Sequence, residues 1–204
     1  TDGTTWKNFG TVSTTSALLL TATTQTRYIP DNLNGETATL TYRAWDQTTG
    51  TASTNNTANT ADPSTNGTDT AFSTNTGTAS LTVSTVNNAP TLTTGTTHTL
   101  TTIDENTASS GTLVSAILTT GGRADVDTGA TSGMAVTATT GNGTWQYATD
   151  GTTWKNFGTV STTSALLLTA TTQTRYIPDN LNGETATLTY RAWDQTTGSA
   201  STNS

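Results

Sequence analysis

The side chains with the most capacity for chemistry in this sequence are carboxylates. Fourteen Asp plus Glu stand against seven Lys plus Arg, for a formal charge of −7. Such a balance suits solubility, or cation binding where carboxylates converge, and composition alone does not choose between them. His98 is the single imidazole. No nucleophile motif surrounds any Ser and no spacing predicts an acid–base pair, so an enzyme is not expected. The absence of Cys removes disulfide scaffolds, thiolate metal sites and cysteine nucleophiles. No basic footprint for nucleic acid exists. The five Trp residues, at positions 6, 45, 145, 154 and 193, have flat faces that can stack on a sugar ring. A glycan-binding module is therefore the alternative to a structural role.

The elements that must position these groups read as β-structure. Thr occurs 61 times in 204 residues, and a residue stiff at χ1 suits a pleated, half-buried surface better than a helix. Leu, Ile, Val and Phe together number only 29, a lean supply for a core, to which Trp and Tyr add apolar area. No apolar run is long enough to span a bilayer, so no membrane insertion is expected. No signal peptide is expected within these residues.

An internal repeat organises the chain. Thr1 to Gly50 recur unchanged as Thr149 to Gly198, an offset of 148. That period is the size of an independent domain and too long for a solenoid. Asn87-Asn88-Ala89-Pro90 reads as a linker, because Pro stops strand pairing. Residues 1–88 are then the C-terminal part of one repeat, and residues 89–204 the N-terminal part of the next, lacking its last strand.

Strands are expected at His98–Ile103, Gly111–Leu118, Met134–Thr140, Thr144–Ala148, Thr152–Phe157, Ala165–Thr169, Gln173–Ile177, Glu184–Asp194 and Thr78–Val86. Asp150-Gly151 marks a hairpin turn, and Asp2 repeats Asp150 as a turn residue. In Glu184–Asp194, Ala186, Leu188, Tyr190 and Ala192 share one face. Trp193 falls on the other with Thr187, Thr189 and Arg191, where it is either partly exposed or, as is commoner for Trp in a sandwich with two covered faces, packed under loops. Short strands with turns between them and no helical period make an all-β chain, folded as an antiparallel Ig-like sandwich. The polar stretch Thr48–Thr70 is long for a strand connection, and such loops are functional or mobile.

Three segments resemble bacterial cadherin-like repeats of giant surface proteins and adhesins, which are related to VCBS repeats. They are Tyr176-Ile177-Pro178-Asp179-Asn180-Leu181-Asn182-Gly183, Leu188-Thr189-Tyr190-Arg191-Ala192-Trp193-Asp194, and Ala79 to Val83 with Val86-Asn87-Asn88-Ala89-Pro90. The resemblance implies a cadherin-like β-sandwich in tandem, with Ca2+ at domain junctions. Carried over motif by motif, it implies ligands at Asp104 and Glu105, at Asp125 and Asp127, at Asp46 and Asp194, and at the linker residues Asn87 and Asn88. Asn88 stands where the family has Asp, which removes one formal charge from that site. The resemblance further implies an extracellular, bacterial cell-surface extender whose partners are neighbouring repeats of the same chain. Unpaired sheet edges add the expectation of pairing with other chains.

Overall fold

The computed structural model describes residues 4–203. The chain divides into two compact units, Thr1–Thr85 and Val86–Ser204. Both are built from antiparallel strands, and among the described residues the chain is all-β apart from one helix of seven residues. Among the described residues no helix is long and apolar enough to cross a membrane.

The first unit holds β1 (Ala17–Leu18), β2 (Glu36–Tyr42), β3 (Thr60–Ala61) and β4 (Gly77–Val83). β1 pairs with β3, and β2 pairs with β4 from Glu36 opposite Val83 to Tyr42 opposite Gly77. The stretch Thr48–Thr70 is partly structured. Ser53 is buried, its hydroxyl donates to the Asn59 carbonyl at 3.1 Å and accepts from the Asn59 amide at 3.0 Å, and β3 lies within it.

The second unit holds β5 (Thr112–Leu113), α1 (Val114–Thr120), β6 (Gly133–Thr139), β7 (Thr144–Ala148), β8 (Lys155–Asn156), β9 (Leu166–Thr169), β10 (Gln173–Ile177) and β11 (Leu188–Trp193). They form two sheets, ordered β5-β10-β7-β8 and β11-β6-β9. One core cluster joins side chains from both sheets and the helix. Met134 and Val136 of β6, Leu168 of β9, Trp145 and Tyr147 of β7, and Tyr176 of β10 meet Val114, Ile117 and Leu118. The period-2 alternation of β6 places Met134 and Val136 on the same inward face, both fully buried.

Two expectations are corrected. Gly111–Leu118 is a strand only at Thr112–Leu113, and Val114–Thr120 is α-helical. Its apolar residues satisfy both periods, and Val114, Ile117 and Leu118, spaced three and four apart, are the buried ones. Gly121 and Gly122 end the helix, their amides bonding to the Ile117 and Thr119 carbonyls and Gly122 taking a positive φ of 64°. His98–Ile103 forms no strand; Leu100 packs on the core from irregular backbone, and the His98 ring bonds Thr120 Oγ1 at 2.7 Å. Trp193 is buried at 8% exposure, in a position open only because Gly133 lacks a Cβ. Its indole N–H donates to the Thr197 carbonyl at 2.7 Å.

The repeated segment keeps its local structure in both units. The Arg27 guanidinium lies 4.3 Å over Trp6, and Arg175 lies 4.1 Å over Trp154. Tyr28 donates to Glu36 as Tyr176 does to Glu184. Asn32 and Asn180 take the same positive φ, 65° and 64°. Burial differs: Tyr28 is 44% exposed and Tyr176 6%. The second unit supplies β6 and β7 to cover this face. In the first unit the same face lines an open cavity of about 820 Å³, with Trp6, Phe9, Leu20, Tyr28 and Leu40 in its wall.

Candidate functional site

Of the residues implicated in metal binding, five come together in the second unit. Asn87 Nδ2 donates to Asp194 Oδ2 at 2.8 Å. Asn88 donates twice to Asp127, from its backbone N–H to Oδ2 at 2.7 Å and from Nδ2 to Oδ1 at 2.8 Å. Asp125 Oδ1 accepts the Asp127 amide at 3.1 Å. Asp194 Oδ1 also accepts the Thr196 amide and hydroxyl at 3.0 and 2.7 Å. These bonds to the charged form, that from Asn87 foremost, hold the Asp194 carboxyl down at about 2.

Secondary structure explains the gathering. Asp194 follows directly on β11, whose pairing with β6 runs from Leu188 opposite Thr139 to Trp193 opposite Gly133. Asp125 and Asp127 lie in the connection between α1 and β6, at the end of β6 that faces Trp193. The two segments are stitched by Thr131 Oγ1 donating to the Asp194 carbonyl at 2.5 Å and Gln195 Nε2 to the Ser132 carbonyl at 2.7 Å. Thr91 pairs with Ala124 as an isolated bridge, which brings the chain after Asn88 to the same end.

One member is not foreseen in the sequence reading. Arg123 Nη2 donates to Asp125 Oδ2 at 2.9 Å, an ion pair with the carboxylate side chain 3% exposed, and to the Thr131 carbonyl at 2.7 Å. The sequence shows a basic residue two positions before an acid, but nothing in it shows that the two pair and turn inward. Arg123 Nε is buried without a hydrogen-bond partner.

Ca2+ is the cation that the family resemblance implies for these residues. That ion takes about six to eight oxygen ligands. In this structure each carboxylate oxygen of Asp125, Asp127 and Asp194 accepts at least one hydrogen bond from the protein, and a guanidinium stands against Asp125. Among the described residues no group of three acidic, His or Cys side chains is placed to hold a metal. Asp104 and Glu105 lie in the turn closed by the Thr107 amide on the Asp104 carbonyl, and no bond joins them to the other acids. Asp46 belongs to the first unit, exposed, its Oδ1 taken by the Thr48 amide and hydroxyl at 2.9 and 2.7 Å. Those bonds hold its carboxyl below the ordinary value. Asp150 caps its turn through the Thr152 and Thr153 amides, while Asp2 lies outside the described residues.

Trp6, Trp45 and Trp154 are half-buried, and Trp6 lines the open cavity of the first unit. Trp145 and Trp193 are buried, and guanidinium groups lie over the rings of Trp6 and Trp154. Comparison with protein families, characterised proteins and solved structures finds no match.

Proposed function

We propose that this chain is a structural spacer: tandem Ig-like, cadherin-like β-sandwich modules of a large bacterial cell-surface or secreted protein, holding a binding domain away from the cell. The observation that carries this reading is the identity of Thr1–Gly50 with Thr149–Gly198, each copy reproducing the same turns and side-chain bonds within its own compact unit. A surface rich in Thr, Asn and Gly and poor in charge stays hydrated without attracting partners, which suits a spacer and suits no specific ligand. The leading residues of the second unit are held by carboxylates, so a pull on the chain at Asn87 loads Asp194 and Asp127.

Force spectroscopy of the 204-residue chain tests this. A spacer module resists pulling and yields in a discrete step, releasing roughly 40 nm of contour for residues 86–204 at about 3.5 Å per residue. Featureless extension would defeat the reading. Calcium at the junction is the variant implied by the family resemblance, and a melting curve in excess chelator separates the two. The hydrogen-bonded clasp gives an unchanged midpoint, whereas bound calcium at a hundredfold excess over its dissociation constant would contribute about 2.7 kcal/mol and be lost on chelation.

A further inference from the structure

One sheet face departs from the uncharged Thr, Asn and Gly surface. In β10, Thr174 and Tyr176 are buried toward the core, so Gln173 and Arg175 lie on the outer face of the sheet β5-β10-β7-β8. Gln146 of β7 and Asn156 of β8 join them there, because Gln146 pairs in register with both Arg175 and Asn156. Leu113 of β5, opposite Gln173 and 42% exposed, completes the face.

A chain of polar contacts fixes Arg175 on this face. Gln146 Nε2 donates to Asn156 Oδ1 at 2.8 Å, and Gln146 Oε1 accepts Arg175 Nε at 2.9 Å. The guanidinium lies 4.1 Å over the Trp154 ring, whose tip occupies the space that a Cβ at Gly111 would need. Amide and indole together hold the guanidinium plane through one nitrogen and one face. Two other arginines commit their terminal nitrogens to the protein. Arg123 Nη2 serves Asp125 and the Thr131 carbonyl, and Arg43 Nη1 serves the Ser73 and Thr74 carbonyls. Among the described residues Arg175 Nη1 and Nη2 have no acceptor and no carboxylate pairs with Arg175, while solvent reaches both nitrogens.

We propose that Arg175 receives a carboxylate of an acidic polysaccharide, a polymer of uronic acid units lying on this outer face. The Nη1 and Nη2 edge of a guanidinium matches the two oxygens of a carboxylate. Asn156 Nδ2 and the Gln173 amide, which bond no other described residue, flank it as partners for ring hydroxyls. Charge density favours this class over nucleic acid. The chain's formal charge of −7 opposes a duplex with a phosphate every 1.7 Å or so, about the densest polyanion it could meet. A polyuronate spaces its charges a sugar apart, with neutral hydroxyls between them.

The repeat favours a polymer over a single sugar. Arg27 reproduces the stack on Trp6 at 4.3 Å, and it too has no carboxylate partner among the described residues. One fork on an open face binds weakly. Two on one chain can engage carboxylates of the same polymer, the second at a raised effective concentration. The inference does not rest on the spacer role.

Biolayer interferometry of the 204-residue chain on immobilised polygalacturonate tests this at low salt. Binding is expected, and full methyl esterification of the polymer, which removes its charge and keeps its rings, is expected to weaken it at least about tenfold. Arg27→Gln with Arg175→Gln is expected to lose at least about tenfold, and Arg27→Lys with Arg175→Lys, keeping charge without the fork, an intermediate amount. The esterified polymer needs no substitution, so it tests the charge even where a variant folds poorly. No binding to polygalacturonate, equal binding of the esterified polymer, unchanged affinity in a folded Gln or Lys pair, or tighter binding to duplex DNA would each overturn the proposal.

Discussion

Asn87 and Asp194, 107 positions apart, meet through one hydrogen bond of 2.8 Å, and with it the start of the second unit is tied to the end of its longest repeated strand. The bond places a neutral amide donor on a carboxylate that two groups of Thr196 already serve. Removing the amide by Asn87→Ala is expected to lower the stability of this unit by about 1 kcal/mol, since Asn87 is exposed and water partly replaces it. Urea unfolding followed by Trp fluorescence measures the change.

The same carboxylate predicts an acid dependence. Asp194 in the folded chain titrates at about 2, below the ordinary 3.8. A depressed pKa contributes stability that is whole above the unfolded value and fades as pH falls through the folded one. Stability should therefore decline between about pH 4 and pH 2. Asn87→Ala, which removes the largest cause of the depression, should flatten that decline; urea midpoints at several acid pH values would reveal an equal slope if the idea is wrong.

Leu168 and Leu20 occupy the same position of the repeated segment, yet Leu168 is fully buried and Leu20 only half-buried. Leu168→Ala should cost about 2–5 kcal/mol through lost transfer energy and the cavity left behind. Leu20→Ala, whose side chain keeps contact with water, should cost about 1 kcal/mol. Equal losses in chemical denaturation would show that both units share one kind of core.

Tyr176 and Tyr28 make a parallel comparison. The Tyr176 hydroxyl donates to Glu184 Oε1 and accepts the Gly143 amide, each at 2.5 Å. Burial, then the bond to Glu184, raises the Tyr176 pKa, and the same bond is the largest cause lowering that of Glu184. Tyr176→Phe strands a partly buried amide and should cost about 1–3 kcal/mol. Tyr28→Phe, which loses only an exposed bond, should stay within about 0.5 kcal/mol. Thermal melts of the two variants suffice to compare them.

Much of the strand content was legible. β6, β7 and β10 fall within a residue of their expected spans, because their apolar residues alternate and polar turns bound them. The helix was missed because Leu113 to Leu118 is apolar at nearly every second and every third position, so local pattern fits both periods. Asn87, Asn88, Asp125, Asp127 and Asp194 were singled out and do assemble. Arg123 was passed over, since nothing local says that a cation lying among acids will turn inward.

The repeated segment separates what sequence and tertiary structure each decide. Its sequence determined the short-range features, which recur in both copies: the turns at Asn32 and Asn180, the Arg–Trp stacks, and the Asp46 and Asp194 caps on Thr48 and Thr196. Each is satisfied within a few residues or between neighbouring turns. Burial and strand partners were left to the rest of the fold. Tyr176 is covered and Tyr28 is not, and Glu184–Tyr190 faces β6 where Glu36–Tyr42 faces β4, because hydrophobic burial depends on which distant residues arrive.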